Sequence, residues 1–140
     1  MPRINTRYLG DRLFEAELGN HRLQIDLPAG MGGRDRAPKP PELFVASLGS
    51  CIGAFVAQYC EECGIDTRDL SVEMVFDSEQ NPTRLTNMRA VIRLPHAEVG
   101  QRRKAIARVA EHCPVHASIL AIAEQGGMEI EVIDRQSEAA

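Results

Sequence analysis

Apolar and polar positions alternate, imperfectly, through Tyr8–Leu18 and again through His21–Leu27. A period of two marks a strand with one covered face. Gly19-Asn20 lies between the two runs and predicts a hairpin turn. Leu70–Phe76 and Met88–Leu94 alternate more cleanly: Val72, Met74 and Phe76 share one face, and Ala90, Ile92 and Leu94 share another. Polar turn residues 77–87 join them, and Pro95 ends the second strand. Gly126-Gly127 leads to a last alternating run, Met128–Ile133, predicted as a final strand, and residues 136–140 read as a frayed tail.

Three segments follow a helical pattern instead. Residues 28–41 are a loop rich in glycine, proline and charge. Pro40 and Pro41 then suit a helix entry, where the missing N–H costs little. That helix runs to about Cys63 and stops at Gly64, a suitable C′ residue. It is apolar on nearly every side, with Leu43, Val45, Leu48, Ile52, Phe55 and Val56 spread around it, which predicts burial on all sides. A second helix covers Gly100–His112, with Ile106, Val109 and Ala110 inward and the Arg102-Arg103-Lys104 run on a solvated face. Pro114 marks a break, and a short helix over Val115–Ala123 follows.

The order is therefore ββ-α-ββ-αα-β, an α+β arrangement in one domain spanning residues 1–140. Leu43–Cys60 is a stretch of 18 residues without a charge, the lower edge of a membrane span. Ser47, Gly49, Ser50, Gly53 and Gln58 interrupt it, and the amphipathic strands need a surface to pack on, so a core helix is the expected role.

Composition narrows the function classes. Apolar residues make up 44% and charged residues 26%, a globular balance. A net charge of −4 argues against broad binding to nucleic acid or an anionic membrane. Residues 1–8 hold no apolar core of a secretory signal. Four cysteines in such a chain point to a reducing, cytoplasmic setting, where thiols are buried, catalytic or metal-bound.

Cys113 stands where one helix stops and the next begins, and a helix N-terminus favours a thiolate. Cys51 lies within the buried helix, a common place for an inert thiol. The two are 62 residues apart, and spacing alone does not bring them together. Cys60-Glu-Glu-Cys63 has CxxC spacing but closes a helix, whereas redox CxxC pairs open one; helix-end packing is the plainer reading. With Cys113 and His116 the same pair spells a Cys3His set, the donor set of a zinc shell. His21, His96 and His112 read as surface residues, although His112 could tune Cys113.

Pro40-Pro41-Glu42-Leu43-Phe44-Val45-Ala46-Ser47-Leu48-Gly49-Ser50-Cys51 resembles a segment on the long central helix of the OsmC/Ohr family, the osmotically inducible and organic-hydroperoxide-resistance proteins. His112-Cys113-Pro114-Val115-His116-Ala117-Ser118-Ile119 is similar to the family's second motif, a cysteine at a helix start. The resemblance covers nearly the whole chain, and the combination of the two motifs is what makes it specific.

The resemblance implies an intertwined homodimer with active sites at the subunit interface, and a thiol peroxidase that reduces organic hydroperoxides without a cofactor. By position, Cys51 becomes the peroxidatic thiol and Cys113 the resolving one, and an external dithiol resets their disulfide. Two departures stand out. The better-studied peroxidases carry a catalytic Glu ten residues before the first cysteine; here that position is Pro41, and Glu42 stands nine before. The catalytic Arg is expected from the N-terminal hairpin or the loop after it: Arg12 first, with Arg34 and Arg36 as alternatives. Rival readings are a non-enzymatic relative that binds a small apolar ligand, the zinc site, and a dimeric structural protein with inert thiols.

Overall fold

The computed structural model describes residues 1–139. Strand β1 (Asn5–Gly10), β2 (Leu13–Leu18) and β3 (His21–Ile25) form an antiparallel sheet in the order β1-β2-β3. Helix α1 (Pro40–Glu62) follows, then the antiparallel pair β4 (Ser71–Glu79) and β5 (Arg84–Arg93). A 3₁₀ turn at Gly100–Arg102 opens α2 (Arg103–Glu111), followed by α3 (Pro114–Glu124) and a short α4 (Arg135–Ala139). The α+β class holds, and the element order departs from the expected one at both ends.

At the N-terminus, the single strand expected over Tyr8–Leu18 is two strands. The chain reverses at Asp11-Arg12, both in the left-handed region with φ of 53° and 67°. Paired positive φ values give the turn whose twist suits a hairpin, and Asp-Arg is an unusual pair to adopt it. The Arg12 N–H donates to the Tyr8 hydroxyl at 3.3 Å, which helps to hold this turn. The Gly19-Asn20 turn falls where expected, with Leu18 opposite His21.

At the C-terminus, residues 128–133 form no strand. Met128, Ile130 and Val132 stand 77%, 81% and 84% exposed. Their alternation with Glu129 and Glu131 suits a strand with one covered face, but a strand needs an edge to pair with, and none reaches this segment in the described residues. Beyond it, the expected frayed tail is the short helix α4, where Asp134 accepts from the Ser137 N–H at 2.8 Å and its hydroxyl at 3.0 Å. Ala140 lies outside the described residues.

The core forms where α1 meets β4, β5, α2 and α3. Val45, Leu48, Gly49, Ile52, Val56 and Cys60 are the buried positions of α1, one stripe at helical spacing. Ile106 and Ala110 of α2 and Cys113 complete the cluster. Gly49 brings the helix against Met74, whose Cγ would lie 3.2 Å from an added Cβ. Burial on all sides is thus corrected to burial of one face: Phe44, Ala46, Ser47, Ser50, Ala54 and Gln58 remain exposed. By length and hydropathy α1 could cross a membrane, yet its covered stripe is the spine of this core. The β4–β5 register shifts between Val75 and Asp77, a bulge at Phe76, which is 40% exposed and lines one hollow with Val72 and Met74.

One buried carboxylate organises the loop between β3 and α1. Asp26 accepts from the backbone N–H groups of Leu27 at 2.8 Å, Arg34 at 3.3 Å and Arg36 at 3.0 Å. Gly33 sits inside this wrap, where an added Cβ would run into the Leu27 carbonyl oxygen.

Candidate active site

The two candidate thiols meet. Cys51 lies on α1 beside the buried turn Leu48–Ile52 and is half-buried; Cys113 is wholly buried at the junction of α2 and α3. Their side chains are within hydrogen-bonding reach of each other despite their separation in sequence. The local cause is the α2–α3 corner. Helix α2 ends at Glu111, His112 leaves the helical region, and Pro114 occupies the first turn of α3, where its missing N–H costs nothing. Cys113 is thereby the N-cap of α3, and its sulfur accepts the His116 N–H at 3.4 Å. The Val115 N–H points at the Cys51 sulfur. Two free amides of one helix start thus serve two sulfurs. The Cys-Pro step in the sequence signals the corner but not the second amide, which only the packing of α3 on α1 supplies.

Burial pushes the Cys51 thiol up, and contact with the Cys113 thiol pushes it further; the Val115 N–H offsets part of this. None of the candidate arginines contributes to that balance. Arg34 is committed to the Asp11 carboxylate at 2.6 Å. The Arg36 Nε donates to Asp26 at 2.7 Å, and its Nη2 donates to the Asp11 carbonyl at 3.0 Å. Arg12 stands at the tip of the β1–β2 hairpin and, among the described residues, has no carboxylate partner.

Glu42 occupies the first turn of α1, where its carboxylate accepts the Lys39 N–H at 3.3 Å and lies 3.9 Å from the Lys39 ammonium. Nine residues of helix turn it half a circle from Cys51 and about 13 Å along the axis. Within one chain it caps the helix and does not reach the thiols. It borders a small hollow of about 320 Å³ with Ala46, Gly49, Ser50 and Phe76, on the other side of α1.

A larger cleft of about 660 Å³ opens beside the thiols. Phe44, Leu48, Ile52, Met74 and Ile119 give it an apolar lining, and His116 stands at its rim. Neither sulfur lines it, but Leu48 and Ile52 flank Cys51 on α1 and His116 follows Cys113 by one turn. The His116 ring is turned to the Glu111 carbonyl at 3.1 Å, and the His112 ring to the Arg108 carbonyl at 2.6 Å. His112 therefore braces the end of α2 and is not tied to the Cys113 sulfur.

The Cys3His set does not assemble: among the described residues, no three His, Cys, Asp or Glu side chains converge as metal ligands. Cys113 is turned to Cys51, Cys60 is in the core, and Cys63 lies at the far end of α1 against Arg102. Arg102 is exposed, as the solvated run predicts, and it also makes contacts that the run does not foretell. Its Nη1 donates to the Tyr59 hydroxyl at 3.2 Å and to the Cys63 sulfur at 3.1 Å. No spacing rule foretells a contact across 39 residues.

The family model of the OsmC-like proteins matches residues 32–125, about two-thirds of the chain and the whole of the α1 to α3 frame that carries both thiols. The chain belongs to the OsmC-like family. Solved structures share its fold at low sequence identity. A protein of Psychrobacter arcticus 273-4, described as a candidate osmotic stress induced and detoxification response protein, superposes with a TM-score of 0.74 at 24% identity, over 84% of this chain and 88% of that one. An organic hydroperoxide resistance protein OsmC of Legionella pneumophila gives 0.61 at 18% identity, over 84% and 87%. The organic hydroperoxide resistance protein OhrB of Bacillus subtilis gives 0.57 at 16%, over 83% and 87%. A comparison with curated protein sequences finds no match.

Proposed function

We propose that this OsmC-like protein is a thiol peroxidase that reduces organic hydroperoxides, and possesses the means to do so without a cofactor. The observation that carries this reading is the contact between the Cys51 and Cys113 thiols. The names of the Legionella and Bacillus neighbours point to the same substrate class.

The steps follow from thiol chemistry. The Cys51 thiolate attacks one oxygen of the O–O bond; that bond breaks, and the other oxygen leaves as an alkoxide that takes a proton to become the alcohol. Cys51 is now a sulfenic acid. The Cys113 sulfur attacks it, water leaves, and a Cys51–Cys113 disulfide forms. An external dithiol reduces this by exchange. The amides of Val115 and His116 stay in place to hold negative charge on either sulfur. The apolar cleft beside the site favours an alkyl or aryl hydroperoxide over the small polar hydrogen peroxide.

A half-buried thiol pushed up by its surroundings needs a cation to react near neutral pH. We infer that Arg12 supplies it, within a homodimer. Three features support the dimer. One face of α1 is exposed, residues 128–133 form an unpaired alternating run, and Phe44, Val75 and Phe76 are exposed apolar side chains. A second copy would cover the first and offer the second an edge. Size-exclusion chromatography with light scattering tests this; a monomer at micromolar concentration overturns it.

The peroxidase reading is tested by adding cumene hydroperoxide to the reduced protein and mapping disulfides by peptide mass spectrometry. A fast Cys51–Cys113 link, lost in Cys51→Ser, is the expected result. Persistently reduced Cys51 overturns it and favours the rival that the cleft also permits, a small apolar ligand bound without chemistry.

A further inference from the structure

The far end of α1 holds a second pair of thiols that the peroxidase chemistry does not use. Cys60 is wholly buried in the core, and Cys63 is the half-buried C-cap residue one turn later. Twelve residues of helix separate Cys63 from Cys51, about 18 Å, so neither can exchange directly with the other. Cys63 carries the feature that Cys51 lacks in a single chain. The guanidinium of Arg102 donates to its sulfur at 3.1 Å while the Tyr59 hydroxyl holds the same Nη1 at 3.2 Å. A guanidinium in contact with sulfur gives it a charged hydrogen-bond donor at the moment it attacks an oxidant.

We propose that Cys60, Cys63 and Arg102 form a second redox site, in which Cys63 is oxidised by an organic hydroperoxide and Cys60 closes a disulfide with it. The Cys63 thiolate attacks the O–O bond, giving a Cys63 sulfenic acid and, after protonation of the leaving oxygen, the alcohol. The Cys60 sulfur then displaces the hydroxyl as water and loses its proton. One peroxide is reduced by two electrons and two thiols become one disulfide.

The helix end makes the closure feasible. In a regular helix, residues three apart have Cβ atoms about 5–6 Å apart. A disulfide needs about 3.5–4.5 Å. Within a helix this gap would oppose closure. Here Cys63 has already left helical geometry, with φ −94° and ψ 3°. Its N–H is shared between the carbonyls of Tyr59 at 3.1 Å and Cys60 at 3.2 Å, a tightened last turn. Gly64 follows at φ 68°, and the Ile65 N–H donates to the Cys60 carbonyl at 2.8 Å, so the chain beyond Cys63 wraps back over Cys60. Cys60 is shielded by burial from the oxidant, which suits a resolving thiol: only its neighbour needs to reach it. Closing the disulfide draws Cys63 away from Arg102 and leaves the Tyr59 hydroxyl as the remaining partner of Arg102 on α1.

The test uses the full chain carrying Cys51→Ser and Cys113→Ser, which leaves only this pair, so its outcome is independent of the Cys51 reading. Cumene hydroperoxide should produce a Cys60–Cys63 link. With Cys60→Ser added, dimedone should label Cys63. Arg102→Met should slow either reaction by about tenfold or more, and Arg102→Lys should restore part of it. Tyr59→Phe, which loosens Arg102 without touching sulfur, should slow it to a lesser degree. Circular dichroism checks that each variant is folded. If the serine variants do not fold, the native chain serves. Cleavage after Glu61 and Glu62 separates Cys60 from Cys63, so the two expected disulfides give different linked peptides. A Cys63 that stays reduced, or one whose oxidation rate is unchanged by Arg102→Met, overturns the proposal.

Discussion

The Arg36 Nε donates to the Asp26 carboxylate at 2.7 Å across ten residues of loop, and Asp26 is 1% exposed. This pair, with three backbone N–H groups on the same carboxylate, fixes the segment that joins the N-terminal sheet to α1. The Arg36 guanidinium holds the Asp26 carboxyl well below the usual carboxylate range, and the backbone N–H groups assist; burial opposes them and loses.

The pH consequence has a definite sign. A folded-state pKa below the unfolded value means that the unfolded chain binds the proton first. Asp26 therefore contributes stability that is full above about pH 4 and is lost as the pH falls below it toward the folded value. Thermal melts from pH 7 to pH 2 should show this loss. Asp26→Asn should lower the melting temperature by several degrees at pH 7 and flatten the acid dependence. An unchanged slope would mean that other carboxylates dominate it, with Asp66, lowered to about 2 by Arg68, as the first to examine.

Cys51 should show the opposite kind of pH profile. Burial and the Cys113 contact push its thiol up, so the thiolate fraction grows about tenfold per pH unit through the neutral range. In the isolated chain, iodoacetamide labelling of Cys51 should keep rising past pH 9. A plateau below pH 8 would reveal a cation at the thiol, as the dimeric site with Arg12 requires.

Arg12 and Glu42 should separate in their effects. Arg12→Ala removes the candidate arginine that, among the described residues, has no carboxylate partner, and loss of such electrostatic stabilisation costs roughly 100-fold or more in rate. Glu42→Gln should change the peroxide rate of Cys51 by less than about threefold, since its carboxylate faces away from the thiols and caps α1. Single-turnover oxidation by cumene hydroperoxide measures both, and equal large losses would place Glu42 in the site through a second copy.

Ile106 is the anchor of α2 in the core, at 5% exposure. Ile106→Ala should cost about 2–5 kcal/mol by urea denaturation, because the cavity beneath α2 collapses only in part. A loss below about 1 kcal/mol would mean that α2 settles freely on α1, and that the α2–α3 corner is less firmly held than the packing implies.

The local pattern was enough for the elements whose partners are close in sequence. The Gly19-Asn20 turn, the prolines that open α1, Gly64 after it, and the Cys-Pro step before α3 each act on their own backbone neighbours, and each does so in the structure. The α1 boundaries and the alternation of β4 and β5 were legible for the same reason. The Asp11-Arg12 reversal was not, because an arginine at φ 67° is held partly by the Tyr8 hydroxyl rather than by its own preference.

Among the candidate residues, the two cysteine motifs were recognisable in the chain, but their meeting was not a property of either. It arises because α3 packs its first turn on α1, which turns the Val115 amide to one sulfur and the His116 amide to the other. The same distance from local sequence applies to Arg36, claimed by a buried carboxylate, and to Arg102, claimed by Tyr59 and Cys63. Residues 128–133 mark the other limit. Their alternation states a preference for strand, and a strand requires a neighbouring edge that a sequence cannot provide by itself. Sequence determined the periodicities, the caps and the chemistry carried by the thiols. Tertiary structure decided which groups face one another, because hydrogen bonds and burial act between residues that only folding brings within a few ångströms.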